Sequence, residues 1–258
     1  MNIYVCIKQV PDTEANISIR EGKTVNETSI KWIVNPYDEY AIEEALKLKE
    51  KNPGSTVCAI ALGPERTQSA LRTALAMGVD RAIHIETGEA LDDRNTAKAL
   101  AGVIRSDGSF GVVFMGKQAI DSDAYQVHIL TAEFLSIPVA TNVISFAYDP
   151  QGGIVTVERE IDEGAREIIE MTVPCVVAAT KGLNTPRYAP VMGIMKAKKM
   201  EIKKISLPEL GVDPAENRIV LLKLSAPAEK PRGRVIEGEP PAAVKELVRL
   251  LKEEAKVI

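Results

Sequence analysis

The feature that most restricts this chain is an alternation of short apolar runs with helical stretches through its first half. Residues 3–10, 56–62, 81–86 and 111–115 are short, β-branched and apolar, as buried strands are. Residues 38–51, 65–77, 93–106 and 124–135 carry apolar side chains at helical spacing, such as Ile42, Ala45 and Leu46, or Leu71, Ala74 and Leu75. Gly78 is a natural stop for the second of these, and Asp121 or Asp123 is the expected cap of the fourth. Strands separated by whole helices cannot be joined as hairpins, so they lie parallel with crossovers on both faces. The prediction is an α/β fold: an open, mostly parallel twisted sheet flanked by helices, Rossmann-like and suited to nucleotides.

After Pro138 the pattern changes. Residues 139–148 and 154–159 flank Asp149, Pro150, Gln151, Gly152 and Gly153, a hairpin turn signal, and strands at 167–171 and 175–180 follow. The second half therefore adds antiparallel strands. From Asn184 onward, Pro186, Pro190, Pro208 and Pro214, then Pro227, Pro231, Pro240 and Pro241, break the chain repeatedly. A last amphipathic helix over 242–255 places Val244, Leu247, Leu250 and Leu251 on one stripe. The expected division is a nucleotide-binding α/β domain over residues 1–205 and a C-terminal arm over 206–258 that packs on a partner.

Several functions are disfavoured. A formal net charge of -4 argues against a general nucleic-acid binder. No apolar run reaches the roughly 20 residues of a membrane helix. The first residues enter a strand with no basic leader, which predicts a cytoplasmic protein. Cys6, Cys58 and Cys175 sit apart in apolar runs, and His84 and His128 are the only histidines, so no thiolate or imidazole metal site and no catalytic Cys/His or Ser/His/Asp set is expected. Residues 111–117 match GxxxxGK formally, but Gln118 follows where a phosphate loop needs Ser or Thr, and no GxGxxG follows the first strand. Asp162 and Glu163 read as a charged hairpin turn. The lysines at 196, 198, 199, 203 and 204 read as a solvated face that could also dock acidic partners.

In an open α/β sheet, ligands sit beyond the carboxyl ends of the strands. Residues 116–123 fall there, between a strand and a helix. Gly116 allows close backbone approach, and the N–H groups of Ala124 to Val127 at a helix start would suit a phosphate. A plain capping role for Asp121 and Asp123 accounts for the spacing equally well, and both readings stay open from spacing alone. Asn35, Pro36, Tyr37 and Asp38 form a second strand-end loop, and Leu62, Gly63 and Pro64 a third; each alone reads better as a turn. Three loops on one edge favour a shared nucleotide pocket over a nucleotide-hydrolysing site, which would need a glycine-rich loop or metal carboxylates.

The stretch VEREIDEGAREIIEMTVPCVVAAT (157–180) closely resembles the signature region of electron-transfer flavoprotein beta subunits. NPYDEYAIEEAL (35–46), TALAMG (73–78), GKQAID (116–121), and LNTPRY (183–188) with IMKAKK (194–199) agree with that family in order. The resemblance implies an electron carrier, not an enzyme: a heterodimer whose larger alpha subunit holds the redox FAD while this chain holds AMP. It implies that acyl-CoA or other dehydrogenases deliver electrons, which pass to a membrane or quinone-linked acceptor. In the family's other branch a second FAD replaces AMP and the complex bifurcates electrons from NADH; Gln126 and Val127 fit the pattern GDTAQVGP of that branch but its glycines and proline are not met, and the AMP branch is preferred. Carried over position by position, the nucleotide site would be Cys6, Asn35, Pro36, Tyr37, Asp38, Leu62, Gly116, Lys117, Gln118, Asp121, Asp123, Ala124, Tyr125, Gln126 and Val127. Residues 188–197 would be a recognition loop for the dehydrogenase, using Tyr188, Val191, Met192, Ile194 and Met195, with Val191 at the position of the usual leucine anchor. Glu160 would face the flavin domain of the large subunit.

Overall fold

The computed structural model describes residues 1–22, 24–228 and 233–258; the predicted break at Pro231 lies outside the described residues. The elements run β1 (Asn2–Ile7), β2 (Gln9–Pro11), β3 (Ile19–Arg20), β4 (Thr24–Val25), β5 (Trp32–Val34), α1 (Pro36–Lys51), β6 (Thr56–Gly63), α2 (Gln68–Met77), β7 (Arg81–Glu86), α3 (Asp93–Ser106), β8 (Val112–Gly116) and α4 (Val127–Leu135). They continue with β9 (Val139–Asp149), β10 (Ile154–Glu160), β11 (Arg166–Thr172), β12 (Cys175–Ala179), α5 (Val191–Lys199), β13 (Ile202–Ser206) and α6 (Pro240–Glu253).

A nine-stranded sheet with order β11-β10-β9-β12-β8-β1-β6-β7-β13 forms the centre. Among its described strands β10 alone runs against the rest, pairing antiparallel with β9 and β11. The predicted mostly parallel α/β fold is therefore what the chain adopts. Two apolar layers cover the sheet. On one face α1 and α2 bury Ile42, Leu46, Leu71 and Leu75 against Val5, Ala59 and Phe114. On the other, α3 and α4 bury Leu100, Ile104 and Ala132 against Tyr4, Cys58, Ile60 and Val113. Strand residues alternate between these layers, as the pleat requires.

Some boundaries differ from the sequence reading. The first strand stops at Ile7; Gln9–Pro11 turns away to pair with Trp32–Val34 in a separate small sheet. The helix expected at 124–135 begins at Val127, and neither Asp121 nor Asp123 caps it. Residues 191–199, read as part of a loop, are helical. Residues 202–206, hidden within the basic cluster, form an edge strand parallel to β7. The chain then stays on the domain for a further stretch. Leu207 and Val212 are buried beside Ile85 and Val103, and Asn217 bonds to Asn95 and to the amide of Asp92.

Candidate functional site

The sheet order places the site. From β1 the chain moves outward through β6 to β7, then returns across the other face to β8 on the opposite side of β1. The β1/β8 boundary is thus the topological switch point, where helices leave to opposite faces and where open α/β sheets generally seat ligands. Cys6 lies near the end of β1, Gly116 ends β8, and Leu62 is half-buried near the end of β6.

A buried carboxylate ties the strand ends together at this boundary. Asp38, in the first turn of α1, accepts from the backbone N–H of Lys8 (2.6 Å) through Oδ2. Its Oδ1 accepts from the N–H of Gly116 (3.1 Å) and from Asn35 Nδ2 (2.9 Å). One side chain thereby joins the ends of β1 and β8. Burial pushes its pKa up to about 7, against the opposing pull of the hydrogen bonds from Lys8, Asn35 and Gly116. Asn35 extends the clamp: Nδ2 also donates to Gln118 O (2.9 Å), and Oδ1 accepts from Ile120 N–H (3.2 Å). Asn35 makes no side-chain cap of α1, so the plain turn-and-cap reading of this loop gives way to a clamp. Gly116 is required here for a reason the sequence did not disclose. A Cβ on it would stand 2.2 Å from Asp38 Oδ1 and 2.8 Å from Tyr37 Cβ, so the close approach is by this chain's own helix.

Beyond the clamp the chain is irregular. Lys117 reaches Asn142 Oδ1 (3.3 Å) and lies 5.2 Å from the Tyr37 ring centre. Asn142 Nδ2 in turn donates to the carbonyl of Glu160 (2.8 Å), connecting this loop to the exposed end of β10. Asp121 pairs with Lys8 Nζ (2.7 Å), and Asp123 accepts from Gln118 Nε2 (2.6 Å). Asp123 and Tyr125 adopt left-handed backbone conformations, with φ of 49° and 55°. From 124 to 129 the backbone N–H groups have no acceptor among the described residues. His128, set aside from sequence as structural, is buried with Nε2 unpartnered, and the Tyr125 ring meets its imidazole edge-on at 5.1 Å. Burial pushes its pKa down to about 4, so the ring is neutral at pH 7. Gln126 is exposed, while Ala124 and Val127 are half-buried. Cys6 is buried and its thiol is pushed far up by burial, first of all, and by Asp38, so it is inert.

The structure therefore gathers Cys6, Asn35 to Asp38, Gly116 to Gln118, Asp121 and Asp123 at one edge. Sequence reasoning missed Lys8, Asn142 and the orphaned imidazole of His128; only Lys8, next to the end of the first strand, had a positional signal. Free N–H donors at a helix start and nearby ammonium groups are a donor set that fits a nucleotide phosphate. A separate cleft of about 600 Å³ lies further along the same edge, bounded by Glu86, Thr87, Leu207 and Val212, and includes none of the predicted nucleotide residues. Among the described residues no group of three or more His, Cys, Asp or Glu side chains could hold a metal.

The exposed candidates lie elsewhere. Tyr188 is 97% exposed, and on α5 Val191 and Met192 are 73% and 75% exposed, with Ile194 and Met195 also open to solvent. These side chains are thus not buried against the chain's own sheet. Glu160 is exposed beside the hairpin turn at 161–165.

The family description "Electron transfer flavoprotein domain" matches residues 22–210. The Bacillus subtilis electron transfer flavoprotein subunit beta is 41% identical over the whole of both chains. The chain belongs to the electron transfer flavoprotein beta-subunit family. The mitochondrial subunit beta of Arabidopsis thaliana is 37% identical over all of both chains, and the human subunit beta 36% identical over all of this chain and 99% of its own. Membership makes this an electron-transport, flavoprotein-family chain. Among the described residues no helix is long and apolar enough to cross a membrane.

Proposed function

We propose that this chain is the non-enzymatic small subunit of a heterodimeric electron carrier, that it holds AMP at the β1/β8 switch point, and that its arm grips an alpha subunit carrying FAD. FAD bound to the partner supplies the electron-carrying centre. This chain binds, orients and excludes water. Acyl-CoA or related dehydrogenases are the proposed donors, a membrane or quinone-linked carrier the acceptor, and the cytoplasm the location.

The observation that carries the reading is the run of unpaired N–H groups over 124–129, held beside the Asn35/Asp38 clamp. Lys8, Lys117 and the α4 N–H groups would meet the phosphate, and Cys6 and Leu62 would wall the adenosine. The smaller nucleotide is favoured by two rings. Tyr125 and His128 stand where the bifurcating pattern has alanine and glycine, and their bulk, packed edge-on at 5.1 Å, supports the smaller nucleotide.

Acid extraction of the purified heterodimer followed by mass spectrometry tests this. The expected result is one AMP and one FAD per heterodimer. Two FAD and no AMP would assign the bifurcating branch, and no adenine nucleotide at all would end the proposal.

A further inference from the structure

Resting on the dehydrogenase-recognition role that the family resemblance implies for residues 188–197, we propose that Arg187, seated between Glu43 and Glu50, is a positioning residue that aims α5 at the electron donor. Nine residues are too few for a helix to hold its own direction in water. What holds α5 is visible on both of its flanks. On the lead-in side, the Arg187 guanidinium grips the Glu43 carboxylate with Nε (2.8 Å) and Nη2 (2.9 Å), and its backbone N–H reaches the same carboxylate (3.1 Å). The same guanidinium meets Glu50 through Nη1 (2.6 Å) and Nη2 (3.3 Å). Glu43 and Glu50 lie two turns apart on α1, and the Glu43 side chain is buried. Asn184 adds bonds to the Tyr40 carbonyl (3.0 Å) and to Glu44 (2.9 Å).

On the far side, Arg72 of α2 donates to the carbonyls of Ala197 and Met200 at the end of α5. Between these fastenings the inner face is shaved down. A Cβ on Gly193 would fall 2.3 Å from the Ala76 carbonyl, and Ala197 is buried. The outer face stays apolar and open.

An exposed apolar surface that is already rigid loses little conformational freedom on docking, so its mounting governs association. Tyr188 directly follows Arg187 and is almost wholly exposed, so the fixed arginine also anchors the backbone that carries that ring.

The test uses the intact heterodimer with purified acyl-CoA dehydrogenase as donor. Arg187→Ala paired with Glu43→Gln removes the guanidinium without leaving a buried carboxylate unpaired. Glu50→Gln is the milder variant, at an exposed residue, and Met192→Ser reports on the docking face itself. The expected result is an apparent KM for the dehydrogenase raised about tenfold in the double variant and about threefold in Glu50→Gln. kcat, nucleotide content and Tm should stay near the parent values, while trypsin cuts faster after Lys196, Lys198 and Lys199. If Met192→Ser raises KM but neither mounting variant does, the positioning role is wrong and the docking face stands. If kcat and Tm fall together with unchanged KM, Arg187 is a plain structural tie. If Met192→Ser is also silent, the docking reading falls, and this inference with it.

Discussion

Asp38 shows how much one side chain can decide. Its carboxylate is buried, ties two strand ends and one amide, and has its pKa pushed up to about 7. The sign follows from where the proton sits. Between the ordinary carboxylate value and about 7, the folded chain holds a proton that the unfolded chain has lost. Stability from this group is therefore full at low pH and is lost as pH rises through 7. Asp38→Asn cannot titrate, so the difference in Tm between parent and variant should shrink as pH rises from about 4 to about 7 and level off above that in thermal melts. At acid pH the variant should still be weaker by ~1–3 kcal/mol, because its amide turns an N–H toward a donor. Gly116→Ala presses a methyl into Asp38 and Tyr37 and should cost ~1–3 kcal/mol, read as lost Tm together with lost nucleotide. The need for glycine at 116 was legible from its place after a strand. Its cause was not, because the neighbour that crowds it comes from a helix 78 residues earlier in the chain.

At the level of elements, the loop from 117 to 126 hangs on the Asn35 side chain, which holds Gln118 and Ile120 together. Asn35→Ala should loosen that loop and lower AMP retention at least tenfold on gel filtration, with a smaller change in Tm than Gly116→Ala produces. Strong period signals made α1, α2 and α3 readable to within a few residues. The start of α4 was not readable, since Asp121 and Asp123 look like caps yet are used by Lys8 and Gln118. Proline-rich surroundings disguised β13: Ile202 and Ile205 are its only apolar residues, and it pairs along one side only, with β7. The helical form of α5 was obscured by Gly193, which is placed for packing on α2 rather than for flexibility.

For the molecule as a whole, the β–α alternation contained the sheet and its switch point, because each crossover had to be right-handed and each apolar strand had to be buried. What it did not contain is the covering of the chain's far end. Ile219, Val220, Leu221 and Leu222 are exposed in succession, and on α6 Val244, Leu247 and Val248 face solvent. Surfaces of this kind usually mark an interface. In hydrogen-exchange measurements the amides of 219–224 and 244–251 should exchange fast in the isolated chain and become protected in the heterodimer. Equal exchange in both would remove the arm from the interface.

The tie that Asp38 makes between β1 and β8 has a kinetic consequence. With β1 and β8 riveted by a buried carboxylate the strand ends cannot part, so a nucleotide held there as proposed would leave only when the loop from 117 to 126, itself held by Asn35, opens. For the proposed AMP, isotopically labelled nucleotide added to the finished heterodimer should therefore swap in over hours rather than seconds, as expected of a nucleotide that serves as a structural part.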